Sequence, residues 1–163
     1  MGASCELRRI SAADGLFFLQ NPRALARQVK AESEQHYADL QRLGYAAQQA
    51  NHAPDPNVRY YDWIVLVAQT AGSNAAWQLL VEESHVVGEL EEQCLMECEA
   101  RLLLPAQVRA LTIAMRSASQ PAELYPDQAE DTLAELQQLQ NDFNRFLRAT
   151  TDTGQALLLL TGP

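Results

Sequence analysis

The sequence predicts an α+β fold in which several helices pack on a small mixed sheet and the N- and C-terminal segments are both strands. Three observations carry this reading. Ala3 to Ile10 places Cys5 and Leu7 two apart among charged neighbours, the period of a strand with one buried face. Gln155 to Thr161 is an apolar run of strand length, as a buried strand requires. Between these ends apolar residues recur at three- and four-residue spacing, the period of a helix.

Taken in order, Ser11 and Asp14 form a capping arrangement ahead of Leu16, Phe17 and Leu19, and Asn21-Pro22 restarts a second helix with a cap and a first-turn proline. In that helix Leu25, Val29, His36, Leu40 and Leu43 share a face that should be buried, and Gly44 ends it. Gln48 to Arg59, with Pro54, Pro56, Asn51, Asp55 and Asn57, is loop chemistry. Tyr60 to Ala71 is nearly free of polar groups after Asp62 and reads as a buried helix, with a strand as the alternative for so short a run. Ser73 or Asn74 caps a further helix through Trp77, Leu80 and Val81 that runs out around Ser84 to Gly88. Cys98, Ala100 and Leu102 alternate with Glu99, Arg101 and Leu103 as a strand, and Pro105 then opens a helix striped by Val108, Leu111 and Met115. Asp127 and Glu130 form a capping box for a long helix carrying Leu136, Leu139, Phe143 and Phe146. Gly154 separates it from the last strand.

A chain of 163 residues with 47% apolar content is sized for one domain, residues 1–163, with its own core. Its longest apolar runs, such as Trp63 to Ala68 and Ala156 to Leu160, are far shorter than a membrane span. Glu6, Arg8 and Arg9 interrupt any leader-like start, so a cytoplasmic location is expected. Cys5, Cys94 and Cys98 are too few and too odd in number for a disulfide framework and read as reduced thiols. The net charge of -9 is uneven: residues 60–100 hold eight acids and no Lys or Arg, whereas residues 1–59 are nearly balanced. Such a field repels nucleic acid and steers a basic protein partner, although blocks of charge also serve as solvated faces.

The sequence carries no catalytic constellation. Cys94 and Cys98, four apart, with His85 nearby, supply too few ligands for a structural zinc, and no EF-hand spacing is present. The histidines are His36 on an apolar stripe, His52 in the proline loop, and His85 beside Glu82 and Glu83, where it reads as a pH-sensitive contact. There is no nucleophile elbow, phosphate loop or dinucleotide fingerprint, so neither cofactor nor metal is called for. Glu91 and Glu92, adjacent in sequence, do not face each other on a helix and read as solvated. Trp63 and Trp77 read as core, and Tyr60 and Tyr61 as the more exposed aromatic pair.

The opening MGASCELRRIS, the Asp62-Trp63 entry to an apolar helix, ARLLLPAQV at Ala100 to Val108, Leu124-Tyr125-Pro126, and the closing helix, glycine and strand together resemble the YfbM-like family, bacterial proteins classed as a domain of unknown function. The resemblance implies helices packed on a small sheet and brings no catalytic mechanism. Two departures stand out: an expected Asp-Lys pair is missing before Trp63, and Leu104 stands where Ser or Thr is expected. The expected function is that of a non-enzymatic binding protein, an immunity protein that neutralises a cognate toxin through an acidic surface. The contact residues expected are Glu82, Glu83, His85, Glu89, Glu91, Glu92, Tyr60 and Tyr61. The alternative is a small-molecule-binding or enzymatic domain with a pocket near Trp63 and Tyr125.

Overall fold

The computed structural model describes residues 4–44, 55–89 and 99–162. In chain order the elements are β1 (Ser4–Ile10), α1 (Ala12–Gln20), α2 (Pro22–Leu43), β2 (Val58–Asp62), α3 (Trp63–Thr70) and α4 (Asn74–Trp77). A π-helical turn (Gln78–Glu82) continues α4 into β3 (His85–Glu89), followed by β4 (Glu99–Leu103), α5 (Pro105–Arg116), α6 (Pro121–Leu124), α7 (Glu130–Asp152) and β5 (Ala156–Gly162). The class is α+β and both terminal segments are strands. The sheet has the order β2-β1-β5-β4-β3. Each neighbouring pair is antiparallel, so the sheet is antiparallel where a mixed one was expected.

Strand β5 sits at the centre because both its faces are apolar. Leu157 and Leu159 enter a cluster with Cys5, Leu7, Leu66, Leu80, Val108, Leu111, Phe143 and Leu147. Ala156, Leu158 and Leu160 enter a second cluster with Phe18, Leu25, Val29, Val87 and Leu102. Helices therefore cover both faces of the sheet, α1 and α2 on one side and α3, α5 and α7 on the other. Each fully buried leucine contributes roughly 1.5–3 kcal/mol relative to exposure. The terminal strands β1 and β5 pair from Ser4↔Gly162 to Ile10↔Ala156, along their full length.

Local signals explain most boundaries. The Ser11 hydroxyl accepts the Asp14 N–H at 3.0 Å, the predicted cap of α1. Ser73 likewise accepts the Ala76 N–H at 3.2 Å. Gly154, with φ +63°, makes the left-handed turn between α7 and β5 that disfavours other residues. Gly15 lets α1 approach β5 closely, since a Cβ there would meet Ala156 Cβ at 3.0 Å.

Other expectations are corrected. Tyr60, Tyr61 and Asp62 belong to strand β2, together with Val58 and Arg59 from the expected loop, because they pair with β1 through Arg8↔Val58 to Ser4↔Asp62. The helix starts only at Trp63, where the Asp62 carboxylate accepts the Val65 N–H at 3.1 Å, and Ile64 on it is exposed. Val86 and Val87 lie in a strand, not in a frayed helix end, because His85 and Val86 pair with Leu102 and Arg101 of β4. The α2 stripe is buried at Leu25 and Val29, but His36 is exposed, since α2 runs past the sheet. The side chains of Leu40 and Leu43 lie outside the described residues. Ala129, not Asp127, stands at the N-cap position of α7 and brings no side-chain cap bond, and Glu130 and Asp131 supply negative charge to its first turn.

Candidate functional site

Two ends of the sheet hold the expected contact residues, and the strand order keeps them apart. Glu82, Glu83 and His85 lead into β3 at one edge, while Tyr60 and Tyr61 lie on β2 at the other. Four strand spacings, about 19 Å, separate the two edges. A single surface joining the tyrosines to the glutamates is therefore not formed. The backbone of Glu89 ends β3; its side chain, together with Glu91, Glu92, Cys94 and Cys98, lies outside the described residues, as does His52.

The acidic edge is held by a fixed turn. The Glu83 N–H reaches back to the Gln78 carbonyl at 2.8 Å, which widens the last turn into a π-helix. Ser84 Oγ donates to the Leu80 carbonyl at 2.8 Å. From the neighbouring strand, the Arg101 guanidinium donates to the Val81 carbonyl at 2.6 Å and to Ser84 Oγ at 3.2 Å, and pairs with Glu99 at 2.6 Å. A cation at a helix C-terminus satisfies carbonyls that the helix itself leaves open. Gln107 Nε2 donates to the Glu83 carbonyl at 3.0 Å. Glu82, Glu83 and His85 are then all exposed on a backbone with little freedom, and neither glutamate is in an ion pair among the described residues. Val86, 57% exposed, adds an apolar contact beside them.

The opposite edge is differently built. Tyr60 is 73% exposed, whereas Tyr61 is half-buried and donates its phenolic hydrogen to Asp142 Oδ2 at 2.5 Å. Burial and that carboxylate hold the Tyr61 hydroxyl well above its usual range. Arg9 and Arg59 both stack on the Phe146 ring, at 5.2 and 5.3 Å from its centroid, and Arg59 Nε reaches Asp142 at 3.5 Å. On the other side of β1, Arg8 is held by Glu6 and Glu32; burial disfavours its charge, and the two carboxylates outweigh that, so its basicity rises. These residues, with Asp55, Asn57 and Tyr60, line an open groove of about 900 Å³. Its lining includes neither Trp63 nor Tyr125. Trp63 packs against the larger core cluster, and the Tyr125 hydroxyl donates to the Ala68 carbonyl at 3.4 Å.

Two buried features stand apart from these edges, and the first went unnoticed in the sequence. Gln69 is fully buried and neither end of its amide has a hydrogen-bond partner among the described residues; its place in an apolar helix was the available signal. Cys5 is a buried free thiol pushed up to about 12, first by desolvation and then by the charge of Glu6, so it stays protonated and inert at neutral pH. Among the described residues no group of three or more His, Cys, Asp or Glu side chains is placed to hold a metal ion. No helix among them is long and apolar enough to cross a membrane. No family model, characterised protein or solved structure matches the chain.

Proposed function

We propose that this chain is a non-enzymatic binding protein that captures a basic protein partner on the acidic edge around Glu82, Glu83 and His85. Its specific form would be an immunity protein of the cytoplasm that neutralises a toxin by covering its active surface. The observation that carries the reading is that Glu82 and Glu83 are exposed, held by a fixed turn and unpaired among the described residues, in a stretch of the chain with no Lys or Arg. Uncompensated charge on a rigid edge raises the encounter rate with an oppositely charged partner without ordering cost at docking. The immunity role is an argument by class, as is membership of the YfbM-like family.

The test is affinity capture of the partner followed by association kinetics at several salt concentrations. Glu82→Gln, Glu83→Gln, Glu91→Gln and Glu92→Gln together should slow association by about tenfold at low salt and flatten its salt dependence. An on-rate that ignores the four substitutions would overturn the acidic-edge reading, and a partner that keeps its activity in the complex would overturn the immunity role.

The groove beside β1 and β2 favours a second reading, small-molecule binding, because its volume is that of a ligand pocket and it converges Arg8, Arg9, Glu32 and Asp55. That reading predicts that chemical shifts moved by a small polar ligand cluster at Arg8, Arg9 and Tyr60; shifts elsewhere would count against it.

A further inference from the structure

Strand β3 lies at the edge of the sheet and pairs, among the described residues, only with β4. In an antiparallel sheet, alternate residues of an edge strand point their N–H and C=O groups away from the sheet. Natural edges are usually blunted by Lys, Pro or a strong bulge. Residues 85–89 contain neither Lys nor Pro; their one irregularity is a register shift between Val86 and Glu89. The opposite edge, β2, carries Arg59 bound to Asp142 and adjoins a groove of mixed charge. The β3 edge instead follows Glu82 and Glu83, unpaired among the described residues, and exposes Val86, which shares a sheet face with its partner Arg101.

We propose that β3 receives an extended basic segment of the partner as a sixth strand, main chain to main chain, with Glu82 and Glu83 facing its cationic side chains and Val86 an apolar one. This rests on the acidic-edge reading and specifies how the partner is held. Strand addition draws affinity from backbone hydrogen bonds and selectivity from alternate side chains. The acidic flank selects against acidic segments. It also disfavours a second copy of the chain, whose own β3 edge would bring like charges together.

The probe is a peptide of alternating Lys and Val, about six residues long, matched to a typical strand, with its Glu/Val counterpart as control. Amide hydrogen exchange should show alternate residues of β3 newly protected by the Lys/Val peptide and none by the Glu/Val peptide. Val86→Lys, an edge-blocking charge on an exposed position, should weaken peptide binding by about tenfold while leaving the thermal midpoint and circular dichroism unchanged. If the Lys/Val peptide binds but β3 gains no protection, strand addition is overturned while the acidic-edge reading stands. If the Glu/Val peptide binds equally well, both fall. Failure of the Lys/Val peptide to bind overturns strand addition, with the association kinetics above left to judge the acidic edge. Dimers in sedimentation that Val86→Lys disperses would show a second copy, not a basic partner, as the occupant.

Discussion

Tyr61 on β2 donates to Asp142 Oδ2 on α7 at 2.5 Å, and Arg59 Nε approaches the same oxygen at 3.5 Å. An edge strand is thereby tied to the longest helix through one carboxylate, while the Tyr61 ring meets Phe143 edge-on at 6.0 Å. Tyr61→Phe keeps the ring and removes the bond, so a loss of roughly 1–2 kcal/mol is expected in urea unfolding. Phe143→Ala opens a cavity in the core and should cost roughly 3–5 kcal/mol. Equal losses would contradict this ordering.

Stability should fall on the alkaline side. The Cys5 thiol is raised from 9.0 to about 12, and Tyr61 is raised as well, by burial first and then by Asp142. Above pH 9.0 the unfolded chain releases the thiol proton while the folded chain keeps it, so the folded state binds more protons and stability drops as pH rises toward about 12. Below that window both states are protonated and the thiol contributes no slope. Urea midpoints across the window check this, and Cys5→Ala should make the decline shallower; the same slope in both proteins would rule Cys5 out as its source.

Gln69 gives the opposite kind of prediction. Its amide is fully buried with no partner at either end among the described residues, so burial costs desolvation that no hydrogen bond repays. Gln69→Met keeps the length and removes the polar atoms, and should raise stability by roughly 1–3 kcal/mol. A lower unfolding midpoint for the variant would show that the amide is satisfied in solution.

Gly15→Ala tests the docking of α1. The new Cβ would lie 3.0 Å from Ala156 Cβ, which is fixed to the backbone of the central strand. Alanine favours a helix by about 1 kcal/mol over glycine, but the overpacking should cost roughly 1–3 kcal/mol. A net drop in thermal midpoint is expected. A rise would mean that α1 lifts from the sheet with little resistance.

Much of the fold was legible because certain segments carry one dominant signal. Ala156 to Leu160 is apolar at every position, which is most simply a strand covered on both sides. Val108, Leu111 and Met115 repeat at the helical period and all three are buried. Strands β2 and β3 were not legible, since five-residue edge strands have one pairing neighbour and weak alternation. In Val58–Asp62 the alternation is masked by exposed Tyr60 and by Asp62, which serves both as the last strand residue and as the cap of α3. The acidic run was legible as charge, but its position was not.

The sequence by itself determined the α+β class, the strands at both ends, the helix caps at Ser11 and at Ser73 or Asn74, and the base-free acidic stretch, because each depends on neighbours within a few residues. Only the tertiary structure decided that β1 and β5 pair along their length and that the tyrosines and the glutamates occupy opposite edges. It also decided that Tyr61 reaches Asp142, eighty-one residues away. Those outcomes depend on strand order, which is set by how the two apolar faces of β5 are covered at once, and no local spacing encodes it.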